Sequence, residues 1–385
     1  MIETEEAVQY KDMEIVPPVN KKNNSIMFSR LLDDDKVVAS YKMYWLLGIL
    51  DEVSSGNIEI KFKRLIARMI VYAWYPHQQY KLNFGVFDNL KRSIYHIAEK
   101  YKFASNCDEK ELLEFLFNNK DDKELLKMMK ELTNQVPYRL LSPFFSDELY
   151  KVKKNSRNNL ITDLALHNEE CLYKIVKDKE NKIIINDCWI DYLKENYKVI
   201  KAWIYYKLVC FIQKRNPNVP AIVFKLESPK HRNLSKATKL WKKIILVRGV
   251  IDIYTGEKFT DENFDKHGVL SIDHFIPWSF VLHDEMWNLI PTFKNINSIK
   301  SNNLLRYKNY IEEFCNTQYQ AFSYICDKKV KYALEDYANI LRVDNPCDYY
   351  KHYTNKDFNN TLMKNISPLY QIAENQGFRV IDKLI

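Results

Sequence analysis

Polar side chains with complementary chemistry lie close together between Asp273 and Lys300. His274 follows Asp273 directly, and Asn288 comes 14 residues after it. Asn297 comes 9 residues after Asn288 and is followed three positions later by Lys300. Carboxylate and carboxamide oxygens are hard ligands that suit Mg²⁺ held with several waters. A neutral imidazole beside such a metal can take a proton from water, and an ammonium can meet a phosphate. The set therefore predicts metal-assisted hydrolysis.

Short elements must position these side chains. The pattern predicts a strand over 269–273 that ends at Asp273 and His274, and then a loop over 277–284. Asn288 opens a second predicted strand over 289–292. A predicted helix over 293–303 presents Asn297 and Lys300 on one face, because residues three apart are neighbours on a helix. We expect two antiparallel strands and a helix to bring the five side chains together.

The extended pattern resembles a known nuclease family. Residues 273–280 read Asp-His-Phe-Ile-Pro-Trp-Ser-Phe, residues 297–301 read Asn-Ser-Ile-Lys-Ser, and residues 254–256 read Tyr-Thr-Gly upstream of the first strand. With the spacings above, this is similar to the HNH, or ββα-metal, nucleases, and in particular to the HNH domain of RNA-guided CRISPR effector nucleases. The resemblance covers residues 248–305.

The resemblance implies a role for each residue of the pattern. His274 would be the general base, and Asp273 and Asn297 would ligate one divalent ion, Mg²⁺ or Mn²⁺. Asn288 would fix the loop that carries the histidine, and Lys300 would contact a phosphate. The implied reaction is phosphodiester hydrolysis that leaves a 5′-phosphate and a 3′-hydroxyl.

Several neighbouring residues are alternatives to these assignments. Asn295 replaces Asn297 if the register slips by two, and His267 and His283 flank the pattern as bystanders or additional ligands. The tryptophans at 278 and 287 are expected in the core rather than as base-stacking surfaces. Many HNH proteins hold a structural zinc on two Cys-x-x-Cys pairs, which this chain lacks, so we expect no structural zinc. An apolar cluster of Trp287, Phe293 and Ile296 would replace it.

A basic segment precedes the pattern. Residues 228–250 contain seven basic residues and no acidic one. Lys236, Lys239 and Lys243 share one helical face, and Arg248 follows them. These four are candidate contacts to a nucleic-acid backbone, which would position the substrate without reading its sequence. The alternative is a solvated helix face.

Composition excludes several other classes of protein. The chain of 385 residues has 7 Gly, a net charge of +8, and neither a Gly-x-Gly-x-x-Gly nor a Gly-Lys-Ser/Thr sequence, which disfavours nucleotide-binding loops. Its 7 Cys are scattered, which indicates a reducing compartment. No apolar stretch is long enough to span a membrane, and the acidic N-terminus is unlike a signal peptide. We expect a cytoplasmic protein without membrane association.

The fold class expected is mainly α, with a small ββα-metal module. The predicted organisation is a flexible arm (1–26), a helical domain (27–215), a linker with a basic helix (216–247), the HNH module (248–305) and a C-terminal helical region (306–385). Within the second segment, helices are predicted over 41–53, 60–74, 86–101, 110–117 and 189–213, and a strand over 183–185.

Two functional hypotheses follow. The first is a divalent-metal-dependent endonuclease acting on DNA, with RNA as the alternative substrate, in restriction or anti-phage defence. The second is a non-catalytic nucleic-acid-binding or assembly protein that uses the HNH fold as a scaffold. The complete set of Asp273, His274 and Asn297 favours the first. The helical domain is assigned to target recognition, to docking of a protein partner, to formation of a homodimer or to ligand sensing.

Overall fold

Apolar residues spaced three and four apart fold into helices over most of the chain. A computed structural model describes residues 15–33, 37–228 and 232–384. These residues form two units, one running to Gln79 and from Asn83 to Asn216, the other comprising Tyr80–Leu82 and the chain from Pro217 onward. Helices dominate both units and the strands are short, which confirms the expected fold class. Within the described residues, no helix is both long and apolar enough to cross a membrane.

The first unit is helical with one small sheet. Its helices are α1 (Ser25–Ser29), α2 (Tyr41–Ser54), α3 (Phe62–Trp74), α4 (Leu90–Tyr101), α5 (Glu109–Asn118), α6 (Lys123–Leu132), α7 (Val136–Arg139), α8 (Ser146–Leu149), α9 (Arg157–His167), α10 (Asp187–Glu195) and α11 (Tyr197–Gln213). Its strands are β1 (Glu59–Lys61), β2 (Tyr173–Val176) and β3 (Lys182–Ile185). The strand order is β1-β3-β2 and both pairings are antiparallel.

The prediction of one continuous helix over 189–213 is wrong. It is two helices, α10 and α11, that meet at Asn196. The side-chain Nδ2 of Asn196 donates to the carbonyl of Tyr192 at 2.9 Å, and its backbone carbonyl accepts from the amide of Ile200. An asparagine that bonds to its neighbours' backbone offers the chain an alternative to the helical ladder.

The structure describes residues 15–26 of the predicted flexible arm. Residues 1–14 lie outside the described residues. Further along, the hydroxyl of Tyr192 donates to the carbonyl of Pro18 at 2.7 Å, and Asn23 donates to the carbonyl of Cys188 at 3.2 Å. Two side-chain hydrogen bonds therefore join this part of the predicted arm to α10.

The second unit contains the predicted strand–loop–strand–helix segment. Its helices are α12 (Ser235–Arg248), α13 (Asp261–His267), α14 (Trp278–Val281), α15 (Lys294–Lys300), α16 (Tyr307–Lys328), α17 (Lys331–Leu341), α18 (Pro346–His352) and α19 (Asn355–Asn375). Its strands are β4 (Leu270–His274), β5 (Leu289–Phe293), β6 (Leu304–Leu305) and β7 (Val380–Ile381). β4 pairs antiparallel with β5, and β6 pairs parallel with β7.

The long helix α16 packs against β5 and against the residue that follows β4. The ring of Phe275 stacks on Phe314 with centroids 4.0 Å apart. Gln318 donates to the carbonyl of Leu289 at 2.7 Å and accepts at 2.6 Å from the hydroxyl of Tyr337 on α17. Because β5 is fully buried, these hydrogen bonds help to fix its register against α16.

One buried apolar cluster includes residues from all three predicted segments of this unit. It contains Trp241 of the predicted basic helix, Ile290 of the predicted HNH module and Phe358 of the predicted C-terminal region. These segments share a core, and the domain boundaries proposed from the sequence stay predictions. The predicted helix over 293–303 is shorter than expected, because it ends at Lys300 and Ser301 adopts a φ of +49°.

Candidate active site

The β4–β5 pair, α15 and the turn that precedes β5 carry the five predicted side chains. The register places Asp273 opposite Ile290 and His274 opposite Leu289. α15 lies against β4, and its Asn297 donates from Nδ2 to Ser271 Oγ at 2.8 Å and to the carbonyl of Ile272 at 3.2 Å. The chain can turn from α13 into β4 at Gly268, where φ is +86° and an added Cβ would lie 3.1 Å from Asn295 Oδ1.

Asn288 fastens the backbone that follows the histidine. The side chain is fully buried. Its Oδ1 accepts from the amide of Ile276 at 2.8 Å, and its Nδ2 donates to the carbonyl of the same residue at 2.9 Å. The carbonyl of Asn288 also accepts from the amide of Phe275 at 2.9 Å. This geometry supports the positioning role expected from the sequence.

His274 has a different partner on each ring nitrogen. Its Nε2 lies 2.8 Å from Asp284 Oδ1, so we assign the Nε2–H as the donor to that carboxylate. Its Nδ1 lies 3.5 Å from Arg232 Nη1 and keeps its lone pair in the neutral ring. Burial lowers the pKa of His274 and the charge of Arg232 acts in the same direction, while the hydrogen bond to Asp284 opposes them. The neutral imidazole, which can accept a proton at Nδ1, is thereby favoured.

Asp284 and Arg232 are site residues that the sequence analysis did not assign. Asp284 lies in the loop ten residues after His274, and Arg232 belongs to the basic segment before α12. The Arg232 guanidinium lies 4.5 Å from the ring centroid of Trp278, a cation–π contact. Of the two tryptophans expected in the core, Trp278 is half-buried and Trp287 is buried.

Lys300 does not lie where the sequence analysis placed it. The side chain is fully buried, and its ammonium donates to the carbonyl of His274 at 2.7 Å and lies 3.0 Å from Asp273 Oδ2. An ammonium enclosed in this way is not available to a phosphate. The predicted phosphate contact is therefore wrong in this structure, where Lys300 is an internal counter-ion of Asp273.

Asp273 has several polar partners. The hydroxyl of Tyr254 donates to its Oδ2 at 2.6 Å, and Lys300 Nζ lies 3.2 Å from its Oδ1. Tyr254 was noted in the sequence only as part of the Tyr-Thr-Gly turn. A carboxylate that is 4% exposed requires such partners, because an unpaired buried charge is costly.

The donor set suits a loosely held divalent ion. In the described part of the chain, no group of three or more His, Cys, Asp and Glu side chains could hold a metal. A metal ion here would therefore rely on Asp273, on the half-exposed Asn297 and on waters, a ligand set that Mg²⁺ accepts. The Nδ2 of Asn297 donates to Ser271 Oγ and to the carbonyl of Ile272 on β4, so Oδ1 of Asn297 points away from these two acceptors. A bound ion would compete with Lys300 for the charge of Asp273.

The alternative residues His267, His283 and Asn295 take no part in these hydrogen bonds, although His283 lies within electrostatic range of His274 and Asp284. His267 Nε2 is 2.8 Å from Glu257 Oε2, and its ring packs on Phe293. The ring of His283 packs on Trp287 with centroids 5.3 Å apart. Asn295 is exposed. The apolar side chains expected in place of a zinc site are all buried, namely Trp287, Phe293 and Ile296.

The predicted basic face lies on α12. Lys236, Lys239 and Lys243 are exposed, while the opposite side of the helix, including Leu240 and Trp241, is buried. Arg248 is different, because its Nη2 pairs with Asp327 Oδ2 at 2.6 Å. Lys230 of the same basic segment lies outside the described residues. Three of the four predicted contacts are therefore exposed lysines on one helix.

Comparison with known proteins supports the family resemblance. Residues 252–304 match the family model described as HNH endonuclease, which confirms the HNH resemblance and indicates nuclease activity and nucleic-acid binding in general. HNH nucleases generally use a divalent metal ion. No curated protein and no solved structure matches the chain.

Proposed function

We propose that this chain is a divalent-metal-dependent HNH endonuclease that hydrolyses phosphodiester bonds of DNA. The observation that carries the proposal is the placement of His274. Its Nε2 lies 2.8 Å from Asp284, and its Nδ1, which lies 3.5 Å from Arg232 Nη1, is the ring nitrogen that can accept a proton. An imidazole held by a carboxylate on one nitrogen is oriented to act as a base on the other.

The residues divide the reaction among them. His274 Nδ1 takes a proton from a water molecule whose oxygen attacks phosphorus, and the bond from phosphorus to the 3′ oxygen breaks. Asp284 stabilises the imidazolium that forms, since it accepts from Nε2 at 2.8 Å. The 3′ oxygen takes a proton from solvent, which leaves a 3′-hydroxyl and a 5′-phosphate. One Mg²⁺ or Mn²⁺ ion, held by Asp273 and Asn297, would supply charge stabilisation at the 3′ oxygen.

Arg232 takes the place that the sequence analysis gave to Lys300. Its Nη1 lies 3.5 Å from His274 Nδ1, and the face of Trp278 supports its guanidinium. A guanidinium binds a phosphate through two parallel hydrogen bonds. We infer that Arg232 contacts the scissile phosphate and that Lys300 keeps Asp273 in position.

The exposed lysines of α12 supply the sequence-independent part of DNA binding. Lys236, Lys239 and Lys243 would neutralise backbone phosphates, so binding would weaken steeply with salt. Arg248 would first have to leave Asp327. The wider role that we propose is that of a cytoplasmic restriction or anti-phage defence effector, acting as a homodimer or with a partner docked on the helical domain.

A plasmid-nicking assay tests the proposal. We expect the full chain to relax supercoiled plasmid with Mg²⁺ or Mn²⁺, to lose activity in EDTA, and to lose at least about 100-fold in rate as His274→Ala. The matched control is His352→Ala, which removes an exposed histidine of α18.

Each contrary outcome has a separate meaning. Equal cleavage by His274→Ala shows that the base is misassigned. If the wild-type chain binds DNA but cuts neither plasmid nor single-stranded RNA with either metal, the proposed nuclease activity is wrong. The alternative of a non-catalytic nucleic-acid-binding scaffold is then supported.

A further inference from the structure

A cavity in the first unit is lined by lysines and by apolar side chains that form its floor. Its volume is about 340 Å³, which falls in the range of small-molecule sites. It lies among the start of α3, the second half of α6 and the turn between β2 and β3. Lysines surround it at positions 61, 63, 130 and 179, and Phe62 and Met129 form part of its floor.

The electrostatics of this cavity favour an anion. Glu180 is the only acidic side chain among its lining residues. The hydrogen bond and charge of Lys61 lower the pKa of Glu180, and the charges of Lys63 and Lys120 lower it further. Burial and the charge of Lys120 lower the pKa of Lys63. Three lysines therefore act on one exposed carboxylate, so negative charge is favoured at this place.

Two further lysines have no acidic partner of their own. Within the described part of the chain, Lys130 and Lys179 form no ion pair, and both are exposed at the rim. Lys63 is half-buried and donates to the carbonyl of Asn119 at 2.7 Å, so it uses one of its three hydrogens. The cavity thus offers ammonium hydrogens that the protein does not use.

The floor of the cavity supplies the apolar half of the site. Phe62 and Met129 are each 4% exposed, and Leu126 on α6 is half-buried. Thioether and aromatic side chains are favourable neighbours for a flat ring. A ligand that matches both halves therefore carries phosphate charge at one end and an aromatic ring at the other.

We propose that this cavity binds a nucleotide, with its phosphates on Lys63, Lys130 and Lys179 and its base on the floor formed by Phe62, Leu126 and Met129. The site shares no residue with the candidate active site. It does not depend on the proposed nuclease function, and its ligand is a free nucleotide rather than a nucleic acid.

Calorimetric titration of the full chain with ATP tests this inference. EDTA is present so that no metal ion binds at Asp273 or to the nucleotide. We expect ATP to bind, and adenosine or inorganic phosphate to bind at least about tenfold more weakly, because each lacks one half of the interaction. No ATP binding, or phosphate binding as tightly as ATP, overturns the proposal.

Variants localise the site. We expect Lys130→Glu and Lys179→Glu each to weaken ATP binding by about tenfold or more, since each replaces an attraction by a repulsion. Lys127→Glu is the matched control, because it reverses an exposed lysine on α6 that does not line the cavity. Leu126→Trp fills the cavity without a change of charge and should abolish binding.

Thermal unfolding of each variant separates loss of binding from loss of the fold. The proposal holds if binding falls while the unfolding temperature is unchanged. It is wrong if folded Lys130→Glu, Lys179→Glu and Leu126→Trp bind ATP as the wild type does, or if Lys127→Glu loses as much affinity as they do.

Discussion

Replacing Lys225 by Met should change how the stability of the second unit depends on pH. Lys225 is 0% exposed, and its Nζ donates to the carbonyl of Phe280 at 2.5 Å and lies 5.2 Å from the ring of that residue. Burial lowers the pKa of Lys225 from 10.5 to about 7. The folded protein therefore holds this amine neutral over a range of pH in which the unfolded chain holds it protonated.

The sign and size of the effect follow from that difference in pKa. Between pH 7 and pH 10.5 the unfolded state binds more protons at Lys225, so the free energy of unfolding rises with pH. At 1.36 kcal/mol per unit, the full shift corresponds to about 5 kcal/mol, of which about 4 kcal/mol falls between pH 6 and pH 10. Loss of the hydrogen bond to Phe280 costs Lys225→Met about 1–3 kcal/mol, nearly independent of pH.

Urea unfolding of wild type and Lys225→Met at several pH values measures the effect. We expect the free energy of unfolding of the variant, minus that of the wild type, to rise by about 4 kcal/mol as pH falls from 10 to 6. Lys243→Met removes an exposed lysine and should leave its own difference flat. A change below about 1 kcal/mol for Lys225→Met would refute a lowered pKa at this position.

Two further predictions concern the candidate active site. Asp284→Asn should lower the single-turnover rate of plasmid nicking by about 100-fold or more, because the amide cannot stabilise the imidazolium of His274. If the folded variant keeps the wild-type rate, Asp284 has no role in the reaction. Arg232→Ala should reduce cleavage at least about tenfold while DNA binding in a gel-shift assay changes less, and Arg232→Lys should restore part of the rate. Equal losses of binding and rate in Arg232→Ala would make Arg232 a binding residue only.

The elements predicted best are those specified by local sequence. The second strand was predicted over 289–292 and spans Leu289–Phe293, because a short apolar run after Asn288 is bounded by the start of α15. The break at Asn196 was missed, since the apolar pattern continues through it and only a side-chain hydrogen bond to Tyr192 marks the junction. The predicted helix over 60–74 includes part of β1, because three residues are too few for a strand period to stand out from a helical one.

The candidate site divides in the same way. The family resemblance implies a positioning role for Asn288, and its hydrogen bonds to Ile276 in the adjoining loop fit that role. The enclosure of Lys300 beside Asp273 and the approach of Arg232 to His274 could not be predicted, since both depend on packing. Lys300 lies three residues after Asn297 and therefore shares its helical face. That spacing does not determine whether the ammonium is exposed or enclosed. In the structure it is enclosed, because Asp273 of β4 lies against it. Arg232 precedes His274 by 42 residues and reaches it through tertiary contacts with Trp278. A family pattern therefore suggests which residues to propose as the base and the oxygen donors, whereas the cation that we propose for the substrate is found only from the fold.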